Sequence, residues 1–156
     1  VAVPDPAAGA GFTYTNNSAY WELVDSLAFR LVTSATSGSR AVTLSIADGG
    51  GITLCTVPVS DITAASHTAQ YSYVWNFSDV LGATNGPFTS PMPRIFLQPT
   101  FTISATIAAI DTTDQVSNIR LEVQQFVTGP SGYLLGVVDS ADTPAARLVR
   151  DASILS

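Results

Sequence analysis

Apolar and polar residues alternate with a period of two over most of this chain, the spacing of strands rather than helices. Leu27, Phe29, Leu31 and Thr33 fall on one side, and Ala28, Arg30, Val32 and Ser34 on the other, as successive side chains of a strand do. Trp21 and Leu23 share the parity of Leu27. That leaves Asp25 on the apolar side and predicts a bulge or break near Asp25 and Ser26. Thr36 to Ser39 reads as a turn, and Val42, Leu44 and Ile46 form the next apolar face. Asp48 followed by Gly49, Gly50 and Gly51 predicts a hairpin, because glycine takes positive φ without steric cost. Ile52 to Val57 is the returning strand.

The polar stretch Ser60 to Thr68 leads to a run that is aromatic on one face: Tyr71, Tyr73, Trp75 and Phe77. Trp75 and Phe77 are assigned to the core, and Tyr71 and Tyr73 to the sheet rim, where their hydroxyls find partners. Gly82 to Pro93 reads as a long loop. Arg94 to Gln98 and Phe101 to Ala108 are strands broken by Pro99, with Phe101, Ile103, Ala105 and Ile107 on one face. Asp111 to Asp114 is a turn. Val116 to Val127 is the last clear strand, with Ile119, Leu121 and Val123 inward and Arg120, Glu122 and Gln124 outward. Roughly seven or eight strands with no core helix predict an all-β fold. The long connections at Ser60 to Thr68 and Thr84 to Pro93 suit crossings between sheets. The expectation is a two-sheet antiparallel sandwich of jelly-roll type, with an immunoglobulin-like sandwich second.

Both ends differ in texture from this body. Residues 1–11 are rich in Pro, Ala and Gly, and Pro4 and Pro6 fix φ and remove donors, so the segment reads as an extended arm. From Gly129 onward a second irregular arm is expected, with an apolar stretch from Tyr133 to Val138 and a short amphipathic helix over Pro144 to Ser156. A final edge strand and a helix packed on the same domain fit these residues equally. The organisation read is thus an arm at 1–11, a sandwich at 12–128 and an arm at 129–156. Pro4, Pro6, Leu148, Val149, Ile154 and Leu155 are the candidate interface residues.

Composition narrows the function. The chain has 156 residues, only 12% of them charged, and a net charge of −6, against a usual charged share of about 25%. All six basic residues are arginine. An acidic chain is a poor ligand for phosphates, so neither nucleic acid nor an anionic membrane surface is expected as a partner. No window approaches the roughly 18 continuous apolar residues of a membrane-spanning helix. Residues 1–11 have neither the basic nor the apolar region of a secretory signal; a chain that has already lost one fits equally.

Chemistry is sparse. His67 is the only histidine and Cys55 the only cysteine. No Gly-x-Ser-x-Gly elbow presents a nucleophile for a triad, so His67 reads as a solvated loop residue. Cys55 lies in an apolar run and reads as a buried, inert thiol. Asp111 and Asp114 lack the spacing of a calcium loop and read as an Asx-turn. Glu22 and Glu122, the only glutamates, both carry outward parity and read as surface residues rather than as a glycosidase pair. Asn16-Asn17-Ser18 and Asn76-Phe77-Ser78 match the glycosylation tripeptide, which has meaning only on a eukaryotic secretory route. No catalytic residue, cofactor or metal is expected.

Two stretches carry a resemblance. One is Leu27-Ala28-Phe29-Arg30-Leu31-Val32-Thr33-Ser34-Ala35-Thr36-Ser37-Gly38-Ser39-Arg40-Ala41-Val42-Thr43-Leu44. The other is Asp114-Gln115-Val116-Ser117-Asn118-Ile119-Arg120-Leu121-Glu122-Val123. They resemble small structural proteins encoded near the head genes of tailed bacteriophages. The resemblance implies a jelly-roll virion component made in the bacterial host cytoplasm, a capsid decoration or cement protein on the capsid exterior. Its expected partners are the major capsid protein and further copies of itself, as a dimer or trimer. The competing expectation is a carbohydrate- or receptor-binding module of a head fibre or tail tip, with Tyr20, Trp21 or Tyr133 exposed at loop ends.

Overall fold

The computed structural model describes residues 1–75, 88–128 and 134–138. Among them are ten strands and no helix. In chain order these are β1 (Phe12–Thr15), β2 (Trp21–Val32), β3 (Arg40–Ala47), β4 (Thr53–Thr63) and β5 (Thr68–Trp75). They continue with β6 (Phe88–Met92), β7 (Ile95–Leu97), β8 (Thr102–Ala108), β9 (Gln115–Thr128) and β10 (Leu134–Val138). Two sheets pack as a sandwich. One runs β1-β8-β3-β4, and the other β10-β9-β2-β5-β6, with β7 pairing with β2. The strand order establishes the sandwich and not its jelly-roll type.

The alternation read from the sequence is the alternation that buries. Leu27, Phe29 and Leu31 of β2, Val42, Leu44 and Ile46 of β3, Ile103, Ala105 and Ile107 of β8, and Ile119 and Leu121 of β9 all lie in one core. Aromatic rings join the two sheets through its centre. Phe12 of β1 meets Phe29 of β2 edge-on with centroids 5.2 Å apart, Phe29 stacks on Tyr71 at 5.0 Å, and Tyr71 meets Phe88 at 5.0 Å. Such pairs add roughly 0.5–1.5 kcal/mol beyond their area burial.

The hairpin signal at Asp48 is realised as the β3–β4 turn. Gly51 has φ +84°, the region open to glycine, and its N–H donates to the Asp48 carbonyl at 3.0 Å. The Ser60 to Thr68 connection does cross between sheets, through residues 64–67, since β4 and β5 lie in different sheets. The bulge near Asp25 is present as a register shift between Val24 and Ser26 against β9.

Several expectations are corrected. Thr84 to Pro93 is neither all loop nor an inter-sheet crossing: it contains the whole of β6, which lies beside β5 in the same sheet and runs parallel to it. The reason lies in length. Twelve residues separate Trp75 from Phe88, enough for the crossover a parallel pair demands, and Pro91 is tolerated because β6 is an edge strand. Tyr71 and Tyr73 are buried, whereas Trp75 is 44% exposed. Tyr71 and Tyr73 sit opposite Phe29 and Leu27, but the pairing of β5 with β2 ends at Val74, so Trp75 has only Met92 of β6 beside it. Phe77 is outside the described residues.

The ends also differ from free arms. Residues 1–9 lie along the edge of β9 in the same chain. The Val3 N–H donates to the Ile119 carbonyl at 3.0 Å, the Leu121 N–H to the Val1 carbonyl at 2.8 Å, and the Gly9 N–H to the Asp114 carbonyl at 2.8 Å. Pro4 and Pro6 fit because this strip makes only intermittent main-chain bonds; the Pro6 carbonyl accepts from Gln115 Nε2 at 3.0 Å. The sheet continues past residue 128, since β10 pairs with β9 farther along the same edge. Leu148, Val149, Ile154 and Leu155 lie outside the described residues.

Candidate interaction surface

The strongest polar cluster closes one end of the sandwich. Arg40 and Asp114 are both buried, and all five guanidinium N–H groups are used. Nε donates to Asp114 Oδ2 at 2.8 Å, and Nη2 to Asp114 Oδ1 and Ser34 Oγ at 3.1 Å each. Nη1 donates to the carbonyls of Thr36 at 2.9 Å and Gly38 at 2.7 Å. The Asp114 carboxylate also accepts the backbone N–H of Ser34 at 2.7 Å and of Asp111 at 2.8 Å. Burial by itself would raise the Asp114 pKa; the Arg40 guanidinium and the two backbone donors outweigh it and hold the carboxyl well below the usual range. The hydrogen bond to Asp114 raises the Arg40 pKa in turn. This clasp ties the β2–β3 turn to the β8–β9 turn, and it occupies Asp114 fully.

Asp111 forms the Asx-turn, accepting the Thr113 N–H at 3.0 Å and the Thr113 hydroxyl at 2.7 Å. The hydroxyl bond leads the effects that lower its pKa. Among the described residues no group of three His, Cys, Asp or Glu side chains converges as metal ligands would.

The two glutamates are separated by a sheet. Glu22 is buried, contrary to its outward parity in the sequence, because the bulge after Val24 offsets the two halves of β2 by one residue. Tyr14 donates its hydroxyl to Glu22 Oε2 at 2.7 Å and Gln125 donates to Oε1 at 3.1 Å. Burial, followed by this carboxylate, raises the Tyr14 pKa. Glu122 lies on the outer face, accepting from Ser26 Oγ at 2.9 Å. The two do not face each other across a cleft.

The same offset turns Trp21 and Leu23 outward. Phe126 lies opposite Trp21, and Phe96 opposite Leu23. The Trp21 and Phe96 centroids are 6.4 Å apart, and those of Phe96 and Phe126 5.8 Å. This patch covers Leu23 completely and leaves Phe96 partly open. Nearby in sequence, Arg94 lies over the Trp75 ring with its guanidinium carbon 4.8 Å from the centroid. Tyr20 is half-buried, its carbonyl accepting from Asn16 Nδ2 at 2.8 Å. Tyr133 is outside the described residues.

The largest departure from burial is on β4, the edge strand of the four-stranded sheet, and at Ile52 just before it. Ile52 is 66% exposed, Leu54 56% and Ile62 48%. Residues 51–56 are all exposed, although Thr53, Cys55 and Thr56 pair with β3, because β4 is the outermost strand of its sheet. Cys55 is therefore exposed rather than buried. The glycine run marks the turn and not this exposure; alternation alone reads the same residues as core. His67 sits in the β4–β5 turn, exposed as expected, with its backbone N–H donating to Thr33 Oγ1 at 2.9 Å. Comparison with family models, curated proteins and solved structures finds no match to this chain.

Proposed function

We propose that this chain is a structural assembly protein, a capsid decoration or cement protein that binds the major capsid protein and further copies of itself on the exterior of a phage head. The observation that carries the reading is the exposure of Leu54 and Ile62 on the edge strand β4 and of Ile52 just before it. Large apolar side chains on an edge strand are a liability for a solitary protein and an asset for one that is covered. Low charge adds to this, since interface cores are depleted in charged residues. The two stretches resembling phage head proteins are also neighbours in space: β2 pairs with β9, and Arg40 of one grips Asp114 of the other.

The test is direct. Particles purified from the source of the gene are stripped, and their proteins identified by mass spectrometry. The reading expects this chain at a fixed stoichiometry to the major shell protein; its absence from particles ends the reading. Deleting residues 140–156 separates the arm from the sandwich: the expectation is loss of incorporation with the domain still folded.

A carbohydrate- or receptor-binding module is the second reading, favoured by the exposure of Trp75 and Phe96. The Trp21, Phe96 and Phe126 rings meet at 59° and 62°, which makes an interlocked cluster rather than the flat platform a sugar stacks on. A glycan array on which the chain binds a defined sugar, with binding lost in Trp75→Ala, would favour this reading over assembly.

A further inference from the structure

Arginine supplies all the basic charge of this chain, so where each one sits is informative. Of the four among the described residues, Arg40 is locked against Asp114 and Arg94 covers Trp75. Arg30 and Arg120 remain, both exposed, with no ion pair among the described residues. They are close together. Arg120 lies opposite Ala28, two residues before Arg30 on β2. Both line one hollow of about 240 Å³ on the outer face of the six-stranded sheet, with Ala28 and Ser72 as small residues and Gln70 and Asn118 as further polar ones.

Two features mark this hollow. Like charges side by side on a sheet face are mutually destabilising, yet the chain spends its only two unpaired described arginines there, although it carries twelve acidic residues. Moreover β9 is irregular at this point. Its register against β2 shifts between Ala28 and Arg30, and Asn118 takes φ +55°, a bulge of the kind that re-aims side chains. The neighbouring carboxylates are bound to other donors and form no ion pair with either arginine: Glu122 accepts from Ser26, and Asp5, beside the hollow, accepts the Asn118 N–H at 2.9 Å.

We propose that the Arg30–Arg120 hollow is a docking seat for an acidic side chain of a partner protein. The volume is below the roughly 300–1,000 Å³ of small-molecule pockets and suits a single carboxylate, which the fork of a guanidinium matches in pairs of hydrogen bonds. A free anion in so open a hollow stays hydrated and screened; a carboxylate carried on a protein surface brings its own cover. The inference is independent of where the protein works.

The probe is a fluorescein-labelled hexaglutamate peptide, read by anisotropy with the full chain at low ionic strength. Binding is expected, weakening steeply toward about 0.5 M salt. It is expected to weaken about tenfold or more in Arg30→Gln/Arg120→Gln, while Arg94→Gln binds as wild type. Circular dichroism verifies the fold of each variant, and Arg30→Lys/Arg120→Lys, which keeps the charge, serves if the glutamine pair misfolds; partial loss of binding there is the supporting result. No peptide binding, equal binding by the glutamine pair, displacement by inorganic sulfate at the peptide's own concentration, or tighter binding of a single-stranded oligonucleotide would each overturn the proposal.

Discussion

Tyr73 carries a buried hydroxyl with no hydrogen-bond partner among the described residues, while its neighbour Tyr71 shares a 2.6 Å bond with Thr63 Oγ1. Burial, with the nearby Tyr71, pushes the Tyr73 pKa up, so it stays a neutral phenol. An unmet hydroxyl in a core carries a desolvation penalty of about 1–3 kcal/mol. Tyr73→Phe is therefore expected to leave stability unchanged or raise it by about 1 kcal/mol in denaturant titration, whereas Tyr71→Phe, which strands Thr63, lowers it. The Arg40–Asp114 clasp behaves oppositely. Asp114→Ala leaves a buried guanidinium without its counter-charge and is expected to cost about 3–5 kcal/mol. Its pH dependence follows in sign. The folded Asp114 holds its charge at a pH where a free aspartate, with a pKa of about 3.9, is already taking up a proton. The unfolded chain thus binds the proton first. The stability from this group is complete above about pH 5 and is lost as pH falls through 4 and below. Unfolding free energy measured from pH 6 to 2 is expected to drop less steeply in Asp114→Asn than in wild type.

At the scale of elements, alternation identified which residues face the core along the regular stretches of the inner strands. It placed Leu27 to Leu31, Val42 to Ile46, Ile103 to Ile107 and Ile119 to Leu121 correctly, because register leaves such residues no other face. It misplaced residues whose surroundings are set at longer range. Glu22 lies behind a bulge that the sequence signalled but whose effect on parity it could not convey. Cys55 is on the outermost strand of its sheet, and Trp75 lies beyond the end of the β5–β2 pairing, with only Met92 of β6 beside it. The segment at 1–11 was legible as extended, and its docking on β9 was not, because proline content reports conformation and not destination. That docking has a consequence. Deleting residues 1–9 uncovers the β9 edge and removes the half-buried Val3 from the core, and is expected to lower the thermal midpoint; an unchanged midpoint would show that the strip adds nothing to the domain. At the start of β4, Ile52→Ser with Leu54→Ser removes exposed apolar surface only. It is expected to leave the fold intact and to reduce self-association, measured by sedimentation velocity across concentrations.

At the scale of the molecule, the sandwich is a rigid body clasped at one end and open along the β4 edge. Among the described residues, the points offered for specific contact are the exposed apolar side chains at β4 and the hollow where two arginines meet. A stable interface buries roughly 1,200–2,000 Å² in total, more than three exposed side chains supply, so the assembly reading requires β4 to act with further surface. Light scattering coupled to size-exclusion chromatography on the full chain tests this most directly. The account predicts a mass that is a multiple of 16.3 kDa, a dimer or trimer, that falls toward the single-chain value in the Ile52→Ser, Leu54→Ser variant. A chain that remains at 16.3 kDa up to high concentration, and that the β4 substitutions leave unaltered, would contradict it.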